Sequence, residues 1–311
     1  MRGVAVSLSA SCLFGLVFYL TDQVGTSPEV ATAWRVLLTS GSGIALLSLR
    51  PTRQLVKQLW TAVTATWWMP LVLLALSAGI GAQLWLFTWA PVHGYALDVS
   101  LGYLLLPISL VLTGRFVFHD SVTRVQWIAV GVAATAVALR ITATHAISWV
   151  TLTICLGYPA YLAVRKYFRL DNAAVFAAEC TVLSPAALIA IASGPGPSTT
   201  QGVLAISAMA LAGTAGMYAF LAAARLLSMP AFGLLSYAEP VLLFFVALTL
   251  GERITGPDIV VYSLLSLALL LLAVQSLLSV RDIRTAQRLR GAAIHPRRTQ
   301  PSETAPCELG R

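Results

Sequence analysis

Charge is scarce in this sequence. Only 10% of its 311 residues are Asp, Glu, Lys or Arg, whereas a soluble domain carries about 25%, and the shortage excludes an ordinary water-soluble globule. Cysteine is scarce too. Cys12, Cys155, Cys180 and Cys307 show no C-x-x-C spacing, which points to inert thiols with neither a disulfide frame nor a zinc site. His93, His119, His145 and His295 fall in breaks between apolar runs or in the tail. No H-E-x-x-H occurs, no paired aspartates lie in the apolar runs, and "SGSG" at 40–43 lacks the first glycine of a G-x-S-G motif. An intramembrane enzyme is therefore not expected, and no metal or cofactor is implied. The apolar runs also lack strict polar–apolar alternation, which removes a transmembrane β-barrel.

What fills the chain is long apolar stretches. Hydrophobic residues make up 58% and the mean hydropathy is +0.82. About 20 apolar residues suffice to cross a bilayer, and backbone groups in lipid must bond within their own segment, so the runs are expected to be helices. The expectation is an all-α, polytopic membrane protein with about ten spans, at 3–21, 29–49, 68–90, 96–117, 125–141, 146–164, 173–193, 203–224, 230–250 and 258–280. The first run is read as a membrane helix because no small-x-small cleavage site follows it. Trp67, Trp68, Trp89 and Trp149 fall near span ends, as an interfacial belt requires.

A net charge of +8 does not indicate nucleic acid here, because the basic residues cluster in short breaks between spans. With the N-terminus in the cytoplasm, the inner side collects Arg2, Arg50, Arg53, Lys57, Arg115, Arg124, Arg165, Lys166, Arg169, Arg225 and the basic residues from Arg281 onward. Arg140 and Arg253 fall outside, and Arg35 lies within a span. Both termini are therefore expected in the cytoplasm. The tail from Arg281 is basic and then rich in Pro, Ser and Thr. It is expected to be disordered and to serve as a plain topology anchor, with contact to anionic lipid as the alternative.

The spans divide into five and five. The fourth reads "SLGYLLLPISLVLTG" and the ninth "FGLLSYAEPVLLFFV", and each places a tyrosine three or four residues before a proline: Tyr103 before Pro107, and Tyr237 before Pro240. Five is odd, so the second copy enters from the opposite face, as in an inverted repeat. The expected units are 1–141, 146–280 and the tail 281–311. Proline has no N–H and clashes with the carbonyl four residues earlier, so Pro107 frees the carbonyl of Tyr103 and Pro240 that of Ser236. At membrane depth such carbonyls need a partner or a wet cavity. Ser100, Tyr103 and Pro107 share one helical face, and Gly233, Ser236, Tyr237 and Pro240 share another.

A charge at the centre of a span costs about 2.5–3.5 kcal/mol to insert. Glu239 lies near the middle of the ninth span and is the expected group for coupling protons or holding a cationic group. Arg35 and Glu179 each lie about six residues into their spans, roughly 9 Å below opposite faces at about 1.5 Å per residue. They are expected not to pair, and either to line opposite vestibules or to act structurally, Arg35 by snorkelling to headgroups and Glu179 by a hydrogen bond. Gln83 is expected to bind either a polar ligand group or a neighbouring helix. Asp98 reads as an N-cap and Gly251 as a helix C-cap. Gly213 and Gly216 read as sites of close helix packing.

These residues also carry a resemblance. The run "LDVSLGYLLLPISLVLTGRFVFHDSVTRVQW" (97–127), "WR" at 34–35, "VRK" at 164–166, "AECTVLSPAA" at 178–187 and "GLLSYAEP" at 233–240 resemble the drug/metabolite transporter superfamily, in particular EamA-type permeases of the RarD branch. The resemblance implies ten helices in two inverted repeats, alternating access, a bacterial inner membrane and export of a small metabolite or drug. It places Arg35, Gln83, Tyr103, Pro107, Glu179, Tyr237 and Pro240 at positions where the branch has the same or a similar residue. Leu106 replaces the branch's Asn before proline, His119-Asp120 its Gly-Glu, and Glu239 its frequent Gly. An amino-acid exporter, whose ammonium group Glu239 would meet, is the nearest alternative. A channel or membrane scaffold is the alternative of another class. Expected partners are a small-molecule solute, protons, the bilayer and, in a homodimer, a second copy.

Overall fold

The computed structural model describes residues 2–294 apart from 145–147, 171–172, 228–231 and 233–234. The described residues form eleven α-helices and no strand. They are α1 (Arg2–Leu20), α2 (Pro28–Leu46), α3 (Arg50–Thr64), α4 (Met69–Val92), α5 (Ala96–Val117), α6 (Arg124–Thr144), α7 (Trp149–Tyr167), α8 (Ala173–Ser193), α9 (Thr200–Leu226), α10 (Ala238–Thr249) and α11 (Gly256–Ile294). Seven of them, α1, α4, α5, α6, α8, α9 and α11, are long and apolar enough to cross a membrane.

Helix boundaries follow local chemistry. Ser27 opens α2 by accepting from the Val30 N–H, with Pro28 at the first helical position. Thr199 opens α9 by accepting from the Gly202 N–H at 3.0 Å. Gly251, at φ +90°, closes α10 in the left-handed conformation that glycine adopts freely. The start of α5 departs from expectation. Its Ala96 and Leu97 N–H groups donate to the two carboxylate oxygens of Glu252, at 2.5 and 2.7 Å. Asp98 is not the cap; it sits inside the first turn, 3.5 Å from Arg140.

Two further differences have physical causes. Helix α3, absent from the expected spans, is amphipathic: Val56, Leu59, Trp60 and Val63 alternate with Arg50, Arg53 and Lys57 at helical spacing, so its mean hydropathy is too low for a span. Helix α11 runs on to Ile294, past the point where a disordered tail was expected, because no proline intervenes before Pro296. Residues 295–311 and Gly233 lie outside the described residues.

The helices pack in long pairs. Helix α1 lies along α9, α2 along α8, α5 along α7 and α6 along α11, while α10 sits between α5 and α1 and α4 crosses α7 and α8. Three apolar clusters fill the contacts. One gathers around Phe18, Leu86, Val99, Ile154, Met209 and Leu243. A second, around Leu104, Ala133, Leu265 and Leu269, joins α5, α6 and α11. The third, around Ile80, Tyr161, Leu170 and Val175, joins α2, α4, α7 and α8. Of the cysteines, Cys155 and Cys180 are buried, and Cys12 is exposed on α1.

Candidate functional site

The two proline-bearing helices meet. Ser100 on α5, fully buried, donates its hydroxyl to the carbonyl of Pro240 on α10 at 3.1 Å. The two prolines act differently. Helix α5 continues unbroken through Pro107. Helix α10 begins only at Ala238, with Tyr237 as its N-cap residue, so Pro240 stands in the first turn, where a missing N–H costs least. The ninth segment turns at Tyr237, and Glu239 lies in the first turn of α10.

Around this junction lies a ladder of aromatic rings. Phe87 meets Tyr103 edge-on at 5.9 Å between centroids. Tyr103 neighbours Tyr158 at 6.4 Å, and Tyr158 meets Tyr161 edge-on at 5.9 Å. The Tyr103 hydroxyl is within electrostatic reach of Glu239, Tyr158 and Arg35. Tyr103, Tyr158 and Glu239 are deeply enclosed by protein yet keep partial solvent accessibility.

Arg35 flanks the ladder from α2. It is 6% exposed, so its charge is enclosed by protein and does not snorkel to a headgroup layer. Its Nη1 donates to Thr88 at 3.1 Å, and its guanidinium lies 5.8 Å from the Phe87 ring centroid. The same group packs on α9 where Gly213 has no side chain: a Cβ there would stand 2.9 Å from Nε.

Glu179 belongs to a separate cluster. Fully buried, it accepts from the Tyr161 hydroxyl at 2.7 Å and lies 3.7 Å from Arg165. Arg165 also donates to the Tyr161 hydroxyl at 2.5 Å. Arg35 and Glu179 do not pair, and Tyr158 stands in electrostatic reach of Glu179 and Glu239 alike. Gln83 binds a neighbouring helix: its Nε2 donates to the Thr153 carbonyl at 2.9 Å, against Gly157, which has no side chain to obstruct it. Ser236 bonds back to the Phe232 carbonyl at 2.9 Å. Tyr237 packs against the cluster shared by α5, α6 and α11.

Ion pairs tie the helix ends. Arg140 bridges Asp98 and Asp258 at one end of α5, α6 and α11, and Glu252, which caps α5, lies at that same end. Lys166 and Asp120 approach to 3.9 Å beyond the other end of α5. Burial within the protein, and neighbouring Asp98, push the Glu252 carboxyl up, against the pull of its two backbone N–H bonds. Among the described residues no cluster of His, Cys, Asp or Glu is arranged to hold a metal ion.

Thr88, Tyr158, Tyr161, Arg165 and Glu252 were not singled out from the sequence. Arg165 carried a signal, as part of "VRK", but read as a topology charge. Thr88, Tyr158 and Tyr161 are neutral residues inside apolar helices and carry none.

No protein-family model matches the chain. Curated relatives do. A chloramphenicol-sensitive protein RarD of Pseudomonas aeruginosa is 35% identical over 290 residues, covering 87% of this chain and 93% of that protein. An uncharacterised transporter of Pasteurella multocida is 32% identical over 289 residues, 90% of this chain and 98% of that protein. A solved crystal structure shares the fold with a TM-score of 0.56 at 17% identity, covering 89% of this chain and 99% of that one.

Proposed function

The chain belongs to the RarD-like family of transporters, as a bacterial integral membrane protein, and from that premise we propose that it is a secondary active carrier of a small metabolite or drug. The carrier works by alternating access around the chamber between α5 and α10. Its ten spans are the seven long apolar helices together with α2, α7 and the segment ending in α10. They form two inverted repeats, 1–141 and 146–280, followed by the basic tail 281–311. The protein lies in the inner membrane with both termini in the cytoplasm.

Two features of packing support the repeat. Exchanging the first five spans for the second five maps the pairing of α2 with α8, of α6 with α11 and of α5 with α10 onto itself. It also turns the pairing of α5 with α7 into that of α10 with α1. Ten alternating spans further bring Asp98, Arg140, Glu252 and Asp258 to one membrane face, and Asp120 and Lys166 to the other, in line with the observed ion pairs.

The single observation that carries the proposal is the Ser100–Pro240 junction, with an accessible acid, Glu239, beside it deep in the bundle. An acid there is costly to ionise and is suited to taking up and releasing a proton as the chamber changes faces. Glu239 is accordingly proposed to couple protons to the solute.

The test is flux in proteoliposomes of purified protein. Chloramphenicol, the compound in the Pseudomonas relative's name, is the first solute to load. Saturable flux that responds to an imposed proton gradient, and loses that response in Glu239→Gln, is expected. Unsaturable conductance would establish a channel instead.

A further inference from the structure

Arg35 has a cationic group and, among the described residues, no counter-ion of its own. It is 6% exposed, and among the described residues no carboxylate lies within 4.0 Å of its guanidinium. Among the described residues, one of its five N–H donors has an acceptor, the Thr88 hydroxyl. Three other basic residues of the bundle each face a carboxylate: Arg140 faces Asp98 and Asp258, Arg165 faces Glu179, and Lys166 faces Asp120. A buried charge is stable when paired and hydrogen-bonded, and an unpaired one is costly.

The surroundings hold this cation in a set pose. Thr88 fixes Nη1, the Phe87 ring lies against the guanidinium, and Gly213 leaves the room it occupies. The neighbouring rings are aromatic: Phe87, which is buried, stands against Tyr103, and Tyr103 beside Tyr158, the two tyrosines being partly accessible. A guanidinium so placed presents a planar fork of donors that matches a carboxylate, and the rings offer flat apolar faces to the rest of a ligand.

We infer that Arg35 is the anion-binding residue of the chamber and that the solute is an organic carboxylate with a flat, aromatic body. The inference rests on the carrier reading above and adds the charge and shape of what is carried. Thr88 positions Arg35, and Tyr103 and Tyr158 flank the solute's ring. Arg35 receives its counter-charge from the solute, so loading neutralises the site and an empty chamber bears its full electrostatic cost.

The experiment compares three benzene derivatives, anionic benzoate, its neutral isostere benzamide and cationic benzylamine, for binding to the purified full chain in detergent by calorimetry. Benzoate is expected to bind at least about tenfold more tightly than benzamide, a difference of about 1.4 kcal/mol, and benzylamine more weakly than either. Arg35→Gln is expected to abolish the preference and Arg35→Lys to retain part of it. If Arg35→Gln does not fold, the ranking of the three probes on the unmodified protein decides the matter alone. Equal binding of benzoate and benzamide, or binding of neither, overturns the inference. Benzoate flux in proteoliposomes separates this claim from the carrier reading. Charge-selective binding without saturable flux retains the anion site and overturns the carrier; saturable flux with no preference for the carboxylate does the reverse.

Discussion

The Ser100 hydroxyl donates to the Pro240 carbonyl across 3.1 Å, and in doing so joins the helix that runs through its proline to the helix that starts beside its own. The bond is buried and spans 140 residues of sequence. Ser100→Ala removes the donor and leaves the carbonyl one partner poorer, a loss of about 0.5–1.5 kcal/mol. Chemical unfolding in detergent measures it. The same variant is expected to change the maximal rate of flux while leaving solute affinity unaltered, because Ser100 is turned to the junction and not to the solute.

One carbon added at Gly213 is expected to displace the Arg35 side chain. A Cβ at that position meets Arg35 Nε at 2.9 Å, closer than real contacts allow. Gly213→Ala improves intrinsic helix propensity by about 1 kcal/mol, so a fold kept intact with solute affinity reduced at least about tenfold is the expected result. Unchanged affinity in titration of the purified variant contradicts the placement of Arg35.

The Glu179–Tyr161–Arg165 cluster predicts an asymmetry between two substitutions. Arg165→Ala strands a fully buried carboxylate with one hydrogen bond, and breaking a buried pair from one side costs about 3–5 kcal/mol. Glu179→Gln keeps an oxygen to accept from Tyr161 and removes the charge, so its loss is smaller. Unfolding midpoints of the two variants, measured side by side, give the order.

Glu252 predicts a pH dependence of opposite sense to that of a salt-bridged acid. Its carboxyl is raised in the folded chain, chiefly by burial, so on acidification the folded state takes up this proton before the unfolded state does. Its contribution to stability therefore grows as pH falls from the folded value toward the ordinary carboxylate range, and shrinks as pH rises through that window. Glu252→Gln is expected to flatten this slope. Glu252→Ala leaves the Ala96 and Leu97 N–H groups without their acceptor and is expected to cost about 1–3 kcal/mol at any pH.

Long apolar helices were legible from hydropathy because their signal is local and repeated over about 20 residues. Helix α3 was not, since its apolar stripe is diluted by Arg50, Arg53 and Lys57 in any window average. Gly251 was legible as a helix end because only a left-handed turn needs glycine there. The cap on α5 was not, because Asp98 is the local candidate while the acid that does the capping, Glu252, comes from the far half of the chain. Arg35, Glu179 and Glu239 were visible as charges out of place in apolar runs. Their surroundings were invisible: Thr88, Tyr158 and Tyr161 gain meaning only when α4 and α7 are brought against α2, α5 and α8.

The central claim is that Tyr103 lines a water-filled chamber opened in turn to each side of the membrane. Its most direct test is a single cysteine at position 103, in a chain whose four native cysteines are replaced, challenged with a membrane-impermeant maleimide from either face of oriented vesicles. Labelling from both faces is predicted, slowed by transported solute and shifted between faces by reversing the solute gradient. A Tyr103→Cys thiol that stays unreactive from both sides, or that reacts from one side alone under every gradient, contradicts alternating access through this site.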